Sequence, residues 1–354
     1  MTVLFLARRF YPEIGGVEKH VLEVSKKLAA KGYKIVVISE QPQESYSDDY
    51  QSNLSSARLV GKLKNIESYN IKPGKDDWFK KFRIWIQLWK YRNLIKQADI
   101  VHCHDVFFWY LPFRFIFPKK PVFTTFHGYE GNNLPTSKVI FMHKFAEKLS
   151  WGNICVGDFL KKWYGTKPTY VTYGAVDLSK FKNGGNRNEA IFIGRLEEET
   201  GIMKYLEALK FLKDKKNNLK LIILGGGSLE NKARKYAKEN SLNVDFKGFV
   251  EDAERYINSG KYIFVSRYLG ILEAMAARKP VFAEYNNDIK KDYLEMAPFA
   301  GFISISADGK EIGKNLADFI NGKRILGADK GYEWVKNKTW ENMTNLYLRL
   351  WDNK

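Results

Sequence analysis

Apolar and polar positions along this chain switch between two periods. Residues 3–7 (VLFLA) are continuously apolar and read as a buried strand, with 8–16 as the loop that follows. From 17 to 31, Val21, Val24, Leu28 and Ala29 recur at helical spacing, and 33–39 (YKIVVIS) returns to a continuous apolar run. Strand, helix, strand, with no alternation inside the strands, predicts a parallel sheet covered on both faces. Polar residues at 40–56 predict a loop or insert, and further strands are expected at 100–104, 121–126, 153–156 and 169–172. The Gly- and Asn-rich stretch 183–188 (NGGNRN) reads as a linker. After it the pattern restarts, with strands at 190–193, 220–224, 244–247, 262–265 and 281–283. Helices are expected between them at 203–212, 230–240, 251–258 and 272–277. The prediction is an α/β chain of two Rossmann-like, doubly wound domains facing a cleft, 1–172 and 173–336. Ligands are expected at the carboxyl ends of the strands. A last helix at 340–351 presents Trp340, Met343, Leu346, Tyr347 and Leu350 on one apolar face.

Composition sharpens this reading. A length of 354 residues suits two domains of ~150–200 residues, and 45% hydrophobic with 28% charged residues is the mix of a folded chain. No apolar run reaches the ~18–20 residues of a spanning helix. Two cysteines, Cys103 and Cys155, cannot build a disulfide framework. The opening MTVLFLARRF has its basic pair after the apolar run, so it reads as a first strand and the expected compartment is the cytoplasm.

The net charge of +18 favours anionic partners, and it is unevenly spread. Residues 78–120 hold nine basic side chains against two acids and are rich in aromatics. Within them Trp78, Phe82, Trp85 and Trp89 recur at helical spacing, beside a stripe of Ile84, Leu88, Tyr91 and Ile95. Lys80, Lys81, Arg83, Lys90, Arg92 and Lys96 flank the stripes, and 107–117 (FFWYLPFRFIF) adds a second aromatic run. Aromatic margins with surrounding Lys and Arg fit a helix resting on anionic lipid headgroups, here the inner face of the cell membrane. The competing reading packs the same stripes on the sheet. No helix-turn-helix, zinc or RNA-binding signature accompanies the charge, so nucleic acid is not an expected partner.

Candidate chemistry sits at strand ends. Gly194-Arg195-Leu196 follows a strand, where a guanidinium suits a fork-like grip on phosphate oxygens. The turn 224–228 (LGGGS) allows either a close backbone approach to a ligand or tight helix packing. Glu273, placed in the first turn of the helix at 272–277, is either a dipole-favoured carboxylate or a holder of ribose hydroxyls. In HCHD (102–105), alternation puts His102 and His104 on one strand face and Cys103 on the other. Nothing else in the sequence completes a metal ligand set, so a strand end facing the cleft is expected instead. His20 and His143 read as surface or packing residues.

The motifs GGVEKHVLEVSKKLAAKGYKIVVI (15–38), TFHG (125–128), GAVDLSKF (174–181), IGRL (193–196), FKGFV (246–250) and LEAMAARKPV (272–281) run in order over nearly the whole chain. They resemble the retaining glycosyltransferases of the GT-B fold, family 4. The resemblance implies transfer of a hexose-type sugar from a nucleotide-diphosphate donor, a UDP- or GDP-sugar, with retention and without metal or other cofactor. It implies that Arg195 grips the diphosphate, that Glu273 holds the ribose, and that Gly248, Phe249 and Val250 lie against the nucleobase. Gly15 and Gly16 match the family's glycine loop, and His127 its histidine beside the donor sugar. The family's last helix crosses back to the first domain, as is expected of 340–351.

Two departures accompany the match. Thr200 stands where the family has a second diphosphate cation, with Lys204 one turn later as a substitute. Val265 replaces a second glutamate, and the glycine-rich loop is shortened to 266–270. Arg267, Tyr268 and Gly270 are then the candidates to read the donor sugar. The alternative these departures raise is a GT-B-shaped protein that binds nucleotide-sugar or glycan without turnover. The acceptor expected from the basic aromatic segment is lipid-linked.

Overall fold

The computed structural model describes residues 1–13, 15–40, 65–128, 134–185 and 187–352. The insert expected at 40–56 lies, apart from Glu40, outside the described residues. The chain forms two compact units, one of Met1–Tyr129, Pro135–Thr172 and Trp340–Lys354, the other carrying Tyr173–Thr339.

The first unit holds seven strands: β1 (Thr2–Ala7), β2 (Lys34–Glu40), β3 (Ile66–Ile71), β4 (Ile100–His104), β5 (Val122–Phe126), β6 (Gly152–Val156) and β7 (Tyr170–Thr172). They lie in the order β3-β2-β1-β4-β5-β6-β7, and every neighbouring pair is parallel. In the middle of the sheet Leu4 pairs with Val36 on one side and Val101 on the other, all three buried. β3 is absent from the strands expected from sequence. Only Ile66 and Ile71 of IESYNI are buried, because an edge strand needs no continuous apolar run.

The second unit repeats the plan with β8 (Arg187–Ile193), β9 (Lys220–Leu224), β10 (Val244–Gly248), β11 (Gly260–Phe264), β12 (Val281–Glu284) and β13 (Ser304–Ser306). Its order is β10-β9-β8-β11-β12-β13, again parallel throughout. Each sheet reverses its winding beside its first strand, between β1 and β4 and between β8 and β11. Crevices beyond the carboxyl ends at such points are where doubly wound sheets bind ligands. One core cluster of this unit gathers Phe192, Tyr205, Leu209, Tyr262, Phe264 and Phe282. Tyr205 stacks on Phe264 at 4.8 Å and donates its hydroxyl to Phe282 O at 3.1 Å, which satisfies its one polar atom in the core.

The helix Trp340–Asp352 belongs to the first unit and buries Met343, Tyr347, Leu350 and Trp351 there. Leu350 reaches the sheet where Gly152 begins β6, and a Cβ on that glycine would lie 2.8 Å from Leu350 Cδ1. At the helix start Glu341 pairs with Lys31 at 2.7 Å. Trp351 is fully buried and its indole donates to a buried histidine, so truncation removes both packing and a polar partner. Trp351→Ala is expected to cost about 3–5 kcal/mol, the scale of a large aromatic deletion, read as a fall in the urea midpoint. A midpoint within error of the parent would show that this helix is not part of the folded unit.

Candidate functional site

In the second unit two arginines stand at the carboxyl ends of the central strand pair. Arg195 follows β8 and Arg267 follows β11. Arg195 Nη2 donates to Glu199 Oε1 at 2.7 Å, and Arg267 Nη2 lies 4.0 Å from the same oxygen. Two guanidiniums facing one carboxylate oxygen form a site whose geometry suits an anion. Arg195 stays half exposed, so a ligand can reach it.

The turn that carries Glu199 is fixed from within. Thr200 donates to Arg195 O at 2.5 Å, and its hydroxyl lies 2.8 Å from Glu197 O. Glu197 in turn accepts from Ser228 N and Ser228 Oγ, tying the 224–228 loop to the same turn. Gly225 and Gly227 have no room for a side chain. A Cβ on Gly225 would run into Gly194 O, and one on Gly227 would lie 2.6 Å from Leu196 O. The glycines of LGGGS therefore serve close packing of two backbone segments. Thr200 is buried, with its hydroxyl engaged by its own turn.

Beneath this turn lies an ion pair with no counterpart in the sequence reading. Glu284, the last residue of β12, and Lys290 are both fully buried and bonded to each other. Lys290 Nζ also donates to Glu199 O at 2.6 Å. Burial pushes Lys290 down to about 8 and raises Glu284 above the usual carboxylate range. Gly201, at φ 75°, sits directly on the Glu284 side chain, where any Cβ would collide. The pair thus supports the backbone from which Glu199 meets the arginines. Sequence gave no signal for it, because the two charges come from a strand end and a helix distant from the turn.

Near the same strand ends, Gly248 O accepts from Gly225 N at 2.7 Å, and Phe249 is exposed beside Gly226. Val250 follows, half-buried. Lys204 faces Glu207 at 3.8 Å. Glu273 is buried, but the helix it lies on runs Tyr268–Ala276, so it occupies the second turn and not the first. The stretch 266–270, read as a loop from sequence, is helical from Tyr268. Tyr268 stacks on Tyr293 at 3.8 Å and its amide donates to the Tyr293 hydroxyl at 2.7 Å, which starts the helix early. Gly270 is needed because Val265 fills the space above it, 2.6 Å from where a Cβ would be.

The first unit gathers four histidines. His104 Nδ1 lies 2.8 Å from His127 Nε2, and the His20 ring meets His127 edge-on at 4.8 Å. A separate chain of bonds has one direction. Trp351 can only donate, so its 3.1 Å bond makes His102 Nδ1 an acceptor and places the His102 proton on Nε2. That proton goes to Thr125 Oγ1 at 2.7 Å, Thr125 donates to the Tyr347 hydroxyl at 3.0 Å, and Tyr347 donates to His20 Nε2 at 2.9 Å. In this assignment every hydroxyl proton has an acceptor. His102 and His104 lie at the end of β4, the strand end expected from sequence, and both are buried, with their rings against Tyr347 of the C-terminal helix. His20 is buried as well, and His143 stacks on Phe126 at 3.7 Å. Among the described residues, no group of three or more His, Cys, Asp or Glu is placed to hold a metal ion. The backbone of His127 is held by Asp105, which accepts its amide at 2.8 Å. Gly15 caps the helix Gly16–Ala30 without a side-chain bond, and Gly16 has open space where a Cβ would go.

The Glycosyltransferase Family 4 profile matches residues 14–180, and the Glycosyl transferases group 1 profile matches 177–337. The chain belongs to the family 4 glycosyltransferases of the GT-B fold. A glycosyltransferase of Methanocaldococcus jannaschii is 25% identical over 352 residues, 94% of this chain and 93% of that protein. A phosphatidyl-myo-inositol mannosyltransferase of Mycolicibacterium smegmatis is 24% identical over 76% of this chain and 72% of its own. Among solved structures, Anabaena HepE in complex with UDP and glucose superposes with a TM-score of 0.74 at 13% identity, covering 99% of this chain and 98% of that one.

In this glycosyltransferase the basic aromatic segment is divided between core and surface. It forms two helices, Lys80–Lys90 and Arg92–Gln97, with Ile84, Leu88 and Ile95 buried. Trp85 donates to Phe108 O at 3.0 Å and stacks on that ring at 4.9 Å, so it is an internal anchor. The second aromatic run is the helix Phe107–Ile116, whose Phe107, Trp109, Tyr110 and Phe113 belong to the core. Trp78, Phe79, Phe82, Ile86, Trp89 and Phe115 are exposed. No helix among the described residues is long and apolar enough to cross a membrane.

The buried histidines give the first unit an acid limit. Burial presses His20 down to about 3 and holds His102 and His104 well below the ordinary histidine range. The unfolded chain takes up these protons near pH ~6.5, so on the acid side the unfolded state binds more protons and stability rises with pH. Stability is therefore expected to fall as pH drops below about 6.5, by roughly 1.4 kcal/mol per pH unit for each histidine. Urea midpoints from pH 7.5 down to 5 measure this, and a flat profile would mean that the rings are protonated in the fold.

Proposed function

We propose that this glycosyltransferase moves a hexosyl group from a nucleotide-diphosphate sugar to a lipid-linked acceptor, with retention of configuration. The observation that carries the reading is the convergence of Arg195 and Arg267 on Glu199 at the switch point of the second sheet. A departing diphosphate presents the same chemistry as the Glu199 carboxylate, with more charge, and two guanidiniums can stabilise it as the glycosidic bond breaks. Charge stabilisation by arginine needs neither a metal nor a pair of hydrolase-type carboxylates. Glu273 is assigned to the ribose, Gly248–Val250 to the base, and Lys204 to a supporting positive charge. Thr200 serves this site through the turn it closes. His127 and the glycine loop at Gly15 and Gly16 are assigned to the transfer reaction by the family resemblance. HepE, a fold neighbour, was solved with UDP and glucose, which supports the donor class. Arg195→Ala is expected to cost about 2–4 kcal/mol of transition-state stabilisation, read as kcat/KM with the donor that gives the largest thermal shift in a UDP- and GDP-sugar panel. A panel in which donors bind but none is turned over would favour binding without transfer, and unchanged turnover in Arg195→Ala would remove the diphosphate assignment.

The acceptor reading rests on the exposed aromatic face of the first unit. Trp78 is 81% exposed, and Phe79, Phe82, Ile86, Trp89 and Phe115 also face solvent. Lys81, Lys90, Arg92 and Lys96 are exposed among them, whereas Lys80 and Arg83 pair with Glu40 and Asp77. The mannosyltransferase relative carries a phosphatidyl lipid in its name, which supports a peripheral enzyme meeting its acceptor at a membrane. Anionic lipid attracts about 1 kcal/mol per nearby Lys or Arg, added to the insertion of the aromatics. Flotation with vesicles of rising anionic-lipid content is expected to carry the parent at low salt and not Trp78→Ser/Ile86→Ser. If the parent stays with the unbound fraction, a water-soluble acceptor replaces this reading.

A further inference from the structure

His104 is an unusual expense in a folded core. Its ring is buried, its Nδ1 lies 2.8 Å from His127 Nε2, and its Nε2 has no hydrogen-bond partner among the described residues. Buried polar atoms without partners are rare enough to need a reason. The two possible tautomers of a neutral His104 are not equivalent here. With the proton on Nε2, a buried N–H would be stranded, and both facing nitrogens could pair only if His127 were the donor. With the proton on Nδ1, His104 donates to His127, and only a lone pair is left unmatched. A stranded donor is the rarer and costlier of the two. Burial keeps both rings neutral, which is the state this assignment requires.

We infer that His104 is a positioning residue that donates through Nδ1–H to His127 Nε2 and so fixes His127 as its Nδ1–H tautomer. His127 then offers substrate an N–H and no basic lone pair. In the proposed transfer it is a hydrogen-bond donor to an oxygen of the bound sugar, and it takes no proton from the acceptor. The His127 backbone is pinned independently by its bond to Asp105, so the ring's tautomer and the loop's path are set by different residues. His20, packed edge-on against His127, bonds to the Tyr347 hydroxyl and leaves this pairing to His104. The inference rests on the reading that His127 serves the transfer reaction, but its first test does not.

Nitrogen-15 NMR of the parent protein, with histidine signals assigned by substitution, reports directly which ring nitrogen of His127 bears the proton. The expected result is Nδ1–H in the ligand-free enzyme; Nε2–H would overturn the inference and leave the transfer reading intact. Two variants then separate tautomer from fold. His104→Asn retains an N–H that can reach Nε2, and should keep the Nδ1–H signature with kcat/KM within about tenfold of the parent. His104→Leu removes the donor together with the unmatched nitrogen. It should fold at least as stably, show His127 as a mixture of tautomers in place of a single Nδ1–H form, and lose about 10²-fold in kcat/KM, because neither the ring's direction nor its proton is then held. Equal activity in the two variants would overturn the inference. Full turnover in His127→Ala would instead remove His127 from the reaction, whatever its tautomer.

Discussion

A parallel strand covered on both faces has little but its carboxyl end to offer a ligand. That constraint shapes both units of this protein. Helices close the faces of each sheet, and the neighbouring strands take up the backbone groups along β1, β4, β8 and β11. What remains is the turn after each strand, and the charged or titratable side chains of interest stand there. Arg195 follows β8, Arg267 follows β11, and His127 follows β5.

Placing such groups at strand ends is not enough, because a turn must also be held still. The two units do this with different chemistry. In the second, the Arg195–Thr200 turn is fixed by Thr200 and by Glu197, and it rests on the buried Glu284–Lys290 pair. Removing one member of a buried pair leaves an uncompensated charge, so the pair tolerates loss of both partners better than loss of one. In the first unit the device is a set of neutral aromatic rings and hydroxyls, ordered by the one group that cannot accept, the Trp351 indole. Its cost appears on acidification, where its benefit of a fixed proton arrangement is lost.

The basic aromatic segment shows how one stretch of sequence can serve two ends. Ile84 and Leu88 pack inward while Phe82, Ile86 and Trp89 remain outside. Helical spacing alone places apolar residues on both faces here, so it cannot say which face meets the protein. Trp85 resolves toward the core because its indole nitrogen finds Phe108 O, a partner that only the folded chain provides.

The sequence by itself determined the two α/β units, most of their strands, and the strand-end positions of Arg195 and His127, since continuous apolar runs separated by amphipathic helices admit few other folds. Order along the chain also carried the family resemblance. Edge strands such as β3 escaped, because a half-exposed strand has a mixed pattern. The start of the helix holding Glu273 was misplaced by four residues, because Tyr293, 25 positions further on, caps and stacks on Tyr268. The clamp on Glu199, the Glu284–Lys290 pair and the His102–Thr125–Tyr347–His20 chain were decided only by tertiary structure. Each joins residues from separate elements, and hydrogen bonds and ion pairs depend on distance in space, to which spacing along the chain is blind.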